Sequence, residues 1–114
     1  MRKTLGRFLT RAGYEVSEAA DGATAIRMAL RSPPDLVILD VRMPGMDGIR
    51  VAELLRTYAP TMDVPIMILT GTPLSAEEWS RLARKVFNVS HKGNVSFEKF
   101  LSFVRGVELL KPPL

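Results

Sequence analysis

Two runs of consecutive apolar residues constrain this chain most: Leu36-Val37-Ile38-Leu39 and the stretch VPIMILT at residues 64–70. A strand with one face in water alternates apolar and polar side chains. A strand that is apolar at every position must be covered on both faces, which is the mark of a parallel sheet between two helix layers. The segments around these runs supply the helices. Leu5, Phe8, Leu9 and Ala12 fall at helical spacing, so residues 2–12 form an amphipathic helix that Gly13 ends. Asp21 stands at the N-cap position before Ala25, Ile26, Ala29 and Leu30, and Ser32-Pro33-Pro34 stops that helix. Residues 47–58 form another, with Asp47 as its cap and Val51, Ala52, Leu55 and Tyr58 turned inward.

Further along, Ser75 and Glu78 have the spacing of a capping box, and Leu74 with Trp79 that of the hydrophobic staple around it. A helix is therefore expected from Ala76 to about Lys85. YEVSEA, residues 14–19, alternates and reads as a short strand. VFNVSH, residues 86–91, reads as another, and a last helix opens after Ser96 with Phe97, Phe100, Leu101 and Val104 on one side. The order is helix and strand in strict alternation over one domain of 114 residues, which implies an α/β fold with a parallel sheet.

Composition narrows the function classes. There is no cysteine, hence no disulfide framework, no thiolate nucleophile and no thiolate metal site. The single histidine, His91, cannot form a multi-histidine metal site and is expected as an ordinary surface residue. The net charge of +4 comes from Arg2, Lys3, Arg7 and Arg11, while the rest of the chain carries equal numbers of acids and bases. One basic helix face is a solvated face rather than a nucleic-acid footprint, so no direct nucleic-acid contact is expected. No apolar run reaches the length of a membrane span, and the first residues lack the apolar stretch of a secretory signal. The expected location is the cytoplasm, with no membrane contact.

In open parallel sheets, ligands bind beyond the carboxyl ends of the strands. That rule selects Asp40, Thr70 and Lys92, which end or follow three successive strands. Singly, each has an ordinary explanation: a loop cap, a strand-end hydroxyl and a solvated lysine. Together they make a chemical set. A carboxylate attacks phosphorus to form an acyl phosphate, a hydroxyl donates to a phosphoryl oxygen, and an ammonium balances its charge. Catalysis of phosphoryl transfer is mostly positioning and charge stabilisation.

AGYEVSEAADGATAI and DLVILDVRMPGMDG, with the thirty-residue step from Asp40 to Thr70 and the twenty-two-residue step to Lys92, resemble the receiver domain of bacterial two-component response regulators. The C-terminal third resembles receivers attached to hybrid sensor kinases. The resemblance implies a flavodoxin-like, doubly wound (βα)5 sheet. It implies Asp40 as phosphoacceptor, Thr70 as switch hydroxyl, Lys92 as phosphate-binding lysine, and Gly71 as the small residue that leaves the acceptor accessible. The main-chain carbonyl of Arg42 would be a ligand for Mg2+. Implied partners are a histidine kinase or a phosphotransfer domain. Gly93 stands where many members have proline, and Val89 where they carry a switch aromatic.

The family's first strand, and the acidic pair at its end that holds Mg2+, have no counterpart in this chain, whose first acid is Glu15. By the family order that strand lies between two others. A buried strand contributes stability comparable with a domain's whole net stability, so three outcomes are expected to close the gap. Upstream residues fill it, or a second chain donates structure in a homodimer or strand-exchanged dimer, or YEVSEA shifts to pair with DLVIL. Mg2+ binding by Asp40 and the Arg42 carbonyl alone is expected to be weak, since the ion prefers a fuller set of oxygen ligands. The leading function is a phosphorylated signalling receiver rather than a metabolic enzyme. The alternative is a pseudo-receiver, an interaction module acting without phosphorylation. A flavodoxin-like cofactor binder is disfavoured, because no glycine-rich phosphate loop follows a strand.

Overall fold

The computed structural model of the chain describes residues 2–42, 45–71, 73–83, 85–86, 88–91, 101–102 and 104–106. Its elements run α1 (Arg2–Arg11), α2 (Gly22–Arg31), β1 (Val37–Asp40), α3 (Gly48–Thr57), β2 (Ile66–Thr70), α4 (Ala76–Leu82) and β3 (Asn88–His91). Residues 101–102 and 104–106 are also helical. The strands form a parallel sheet in the order β1-β2-β3.

β2 is buried at all five positions, as its continuous apolar sequence requires. Side chains alternate across a strand, and the core divides accordingly. Ile66 and Ile68 join Leu39, Val41, Ile49, Val51, Ala52, Leu55, Ala29 and Leu82 on one face, under α2, α3 and α4. Met67 and Leu69 join Leu9 of α1 and Val104 on the other. Burying each of the four aliphatic side chains of β2 contributes about 1.5–3 kcal/mol. Helices on both faces of a parallel sheet give the flavodoxin-like α/β arrangement.

The helix starts follow their caps. Asp21 accepts from the Thr24 amide at 2.8 Å and Asp47 from the Arg50 amide at 2.8 Å. Ser75 and Glu78 close the expected capping box. After α1, Gly13 takes a φ of +99°, the left-handed conformation that glycine adopts at least cost.

Four expectations need correction. Residues 14–19 form no strand. Their alternation survives in packing, with Tyr14 and Val16 against the second face while Glu15 and Ser17 are exposed. A strand also needs a hydrogen-bonded neighbour, and the sheet of the described residues does not extend to this segment. For the same reason the shift of YEVSEA onto DLVIL is not realised: among the described residues β1 pairs with β2 and with no other strand. Helix α4 ends at Leu82, earlier than Lys85, because Ala83 leaves helical conformation with ψ near 127°. Tyr58 lies at the C-cap of α3 and is 41% exposed rather than turned inward. Phe87, the residues of the last helix before 101, and Lys92 lie outside the described residues.

Candidate functional site

β1 carries Asp40 to the carboxyl edge of the sheet, and the chain then folds tightly back on that edge. Val41 is fully buried; its amide donates to the Leu69 carbonyl at 3.4 Å and its carbonyl accepts from the Gly48 amide at 2.9 Å. The Arg42 amide donates to Asp40 Oδ1 at 3.0 Å, an Asx-type turn that fixes the carboxylate against its own loop. Gly45 turns the loop with a φ of +78°. Asp47 is engaged in capping α3, as expected from its place before Gly48.

The return is so close that Gly48 admits no side chain. A Cβ there would collide with the carbonyl of Asp40 and press on the Val41 backbone. Glycine is required at this point for space, not for an unusual φ.

In the parallel ladder Asp40 stands opposite Leu69, and Thr70 opposite His91. Thr70 is therefore one position past the cross-strand partner of Asp40, on a neighbouring strand about 4.8 Å away. Thr70 is buried and Asp40 half-buried. Asp40 and Thr70 stand at adjacent strand ends on one edge of the sheet. The structure thus brings together two of the three residues selected from sequence; Lys92 follows directly after His91, outside the described residues. Gly71, just beyond Thr70, is exposed. Val89 is a partly buried aliphatic residue packed against the first cluster.

One participant was missed from sequence. The side chain of Arg42 reaches α4, where Nη1 lies 3.3 Å from Glu78 Oε2. Glu78 at the same time accepts from the Ser75 amide through Oε1 at 2.9 Å. The Ser75 amide, followed by the Arg42 guanidinium, holds the Glu78 carboxyl below its ordinary pKa. The capping-box spacing marked Glu78 as a local helix residue. Nothing in the spacing announced a partner 36 residues earlier.

Magnesium favours near-octahedral oxygen ligation with one or two carboxylates. Among the described residues, no three His, Cys, Asp or Glu side chains gather as a metal site. Asp47, the acid in the loop after Asp40, caps α3 through the Arg50 amide. No helix among the described residues is long and apolar enough to cross a membrane.

The chain is similar to known proteins at both sequence and structural level. The family model described as response regulator receiver domain matches residues 1–87. The response regulator PleD of Caulobacter vibrioides is 48% identical over 63 residues, which are 55% of this chain and 14% of PleD, so the chain spans a small part of that relative. The chemotaxis protein CheY4 of Vibrio cholerae superposes with a TM-score of 0.82 at 30% identity, covering 93% of this chain and 88% of CheY4. The receiver domain of the sensor histidine kinase PA1611 of Pseudomonas aeruginosa superposes with a TM-score of 0.82 at 25% identity, covering 93% of this chain and 87% of that domain. That domain holds a magnesium ion in its active-site cleft. With most of the sequence matched by the family model and the whole fold matched by these structures, the chain belongs to the response regulator receiver domain family.

Proposed function

We propose that this chain is a phosphoacceptor receiver in a two-component phosphorelay, phosphorylated on Asp40 by a histidine kinase or a phosphotransfer domain. The observation that carries the reading is the placement of the Asp40 carboxylate at the carboxyl edge of a parallel sheet, with Thr70 on the adjacent strand end. In the transfer, an Asp40 carboxylate oxygen forms a bond to phosphorus as the P–N bond of a phosphohistidine breaks. The electron pair of that bond returns to the imidazole nitrogen. The Thr70 hydroxyl donates to a phosphoryl oxygen, and Lys92 supplies positive charge. The phosphorylated domain then changes its protein contacts; it is a switch rather than a metabolic catalyst.

A second reading is an interaction module that acts without phosphorylation. It is favoured by the lack of a gathered acidic cluster among the described residues. One experiment separates the two. The chain is incubated with acetyl phosphate and magnesium, and its mass is compared with that of Asp40→Asn. A phosphoryl adduct that Asp40→Asn abolishes is the expected result. An unchanged mass after prolonged incubation at high magnesium favours the interaction module.

A further inference from the structure

The loop after Asp40 and the start of α4 are joined through a single carboxylate. Arg42 is anchored by its amide to Asp40 Oδ1 at 3.0 Å, and its guanidinium meets Glu78 Oε2 at 3.3 Å. The other oxygen of Glu78 accepts from the Ser75 amide at 2.9 Å, and Ser75 Oγ accepts from the Glu78 amide at 3.1 Å. Glu78 therefore does two separable things: it caps its own helix, and it ties that helix to the acceptor loop. Further along α4, Arg81 is tied to Glu53 of α3 by the fork of bonds at 2.6 and 3.3 Å. The first tie joins α4 to the loop after Asp40; the second joins α4 to α3.

We infer that the Arg42–Glu78 pair is a latch, closed while Asp40 is a simple carboxylate and opened when a phosphoryl group on Asp40 draws Arg42 to itself. This rests on the reading of Asp40 as the acceptor. Magnitudes favour the exchange. The Arg42 side chain is 58% exposed and that of Glu78 21%, and ion pairs of that exposure contribute little. A phosphoryl group brings up to two negative charges and three strong acceptor oxygens, and guanidinium matches such an oxyanion with two parallel bonds. Arg42 is already fastened beside Asp40 through its own amide, so only its side chain has to turn. Opening strands no buried charge, and the bonds between Glu78 and Ser75 do not require Arg42. Helix α4 thus stays folded but loses its tether to the acceptor loop. Trp79, the only tryptophan, follows Glu78 directly and is half exposed, so it reports on the helix start.

Glu78→Gln isolates the latch, because glutamine serves at this position of a capping box but cannot form an ion pair. Hydrogen exchange of residues 76–79 and Trp79 emission are read with and without acetyl phosphate and magnesium, with intact mass on the same samples. In the unphosphorylated chain, Glu78→Gln is expected to speed exchange at the α4 start severalfold and to move Trp79 emission toward that of the phosphorylated wild type. Phosphorylation should then add little. Arg42→Met, which leaves the bonds between Glu78 and Ser75 intact, should speed exchange at the α4 start as Glu78→Gln does and likewise remove the response to phosphorylation. Exchange at the α4 start equal to wild type in Glu78→Gln or in Arg42→Met overturns the latch. A phosphoryl adduct on Asp40 that leaves α4 exchange unchanged also overturns it, while the acceptor reading stands. A loosened α4 in Glu78→Gln with no adduct on any sample defeats the acceptor reading and, with it, the trigger.

Discussion

The backbone of Asp40 and the Cα of Gly48 approach so closely that a side chain at position 48 has no room beside the Asp40 carbonyl. The clashing atom is main chain, which cannot turn aside. Gly48→Ala should therefore destabilise the fold by about 1–3 kcal/mol, the usual range for overpacking, read as a lower urea midpoint. It should also displace the Asp40 edge and slow its labelling by acetyl phosphate. Gly45→Ala is the control: nothing lies within 4 Å of a Cβ there, and only its positive φ of 78° is penalised.

Arg56 gathers the loop between α3 and β2. Its Nε donates to the Lys85 carbonyl at 2.9 Å, and Nη1 lies within bonding distance of the Thr61, Met62 and Val64 carbonyls at 3.3, 3.0 and 2.6 Å. Nη1 carries two hydrogens, so three acceptors share them. Arg56→Met should cost about 2–4 kcal/mol. Arg56→Lys should recover less than half of that, because a single ammonium cannot span the arms of the fork. Equilibrium urea unfolding of the three proteins checks the order.

Thr61 is fully buried and its hydroxyl donates to the Leu55 carbonyl at 2.6 Å. Thr61→Val keeps the volume but leaves that carbonyl short of its donor, at a cost of about 1–3 kcal/mol. Thr61→Ser keeps the bond and should lose less. Thermal unfolding of the pair is the measurement.

Glu53 sits between Arg81 and Arg50 on the α3–α4 seam. The Arg81 hydrogen bonds, opposed by desolvation and helped by the charges of Arg81, Lys85 and Arg50, hold its carboxyl below the ordinary value. A depressed folded-state pKa means the unfolded chain binds the proton more readily. The contribution is therefore complete above the unfolded value, roughly pH 4.3, and disappears as pH falls through the folded value. Glu53→Gln should flatten the acid limb of a stability-versus-pH curve in that window and leave its alkaline side parallel to wild type. Urea midpoints collected across pH 3 to 8 decide it, the range being roughly that in which carboxylates titrate.

The metal expectation is also direct. Calorimetric titration of the 114-residue chain should show no saturation by magnesium in the micromolar range, and Asp40→Asn should behave alike. Saturable micromolar binding that Asp40→Asn removes would sink this prediction.

Much of the architecture could be read before the structure, because local chemistry enforces it. The unbroken apolar run at 66–69 has one stable destination, a strand covered on both faces, and Asp21, Asp47 and Ser75 are caps wherever such residues precede apolar periodicity. The strand-end positions of Asp40 and Thr70 were legible from the apolar runs before them, while Lys92, selected by the same rule, lies outside the described residues. The failures involve partners rather than patterns. Alternation in YEVSEA told which side chains turn inward but not whether a neighbouring ladder exists. Tyr58 obeys the spacing of α3 but falls where the helix has ended. The Arg42–Glu78 contact joins two residues that each had a sufficient local reading, so no spacing signalled it.

The ladder that sets Asp40 opposite Leu69 is the same ladder that buries Ile66 and Ile68 on one face and Met67 and Leu69 on the other. A slip of one residue would turn every one of those side chains to the wrong face. The alignment of the Asp40 edge is thus locked to the hydrophobic core that β1 and β2 share rather than to the loop that follows the carboxylate. Under the proposed acceptor role of Asp40, phosphoryl transfer would be confined to molecules folded in register, and a mispaired chain would be silent instead of wrongly active.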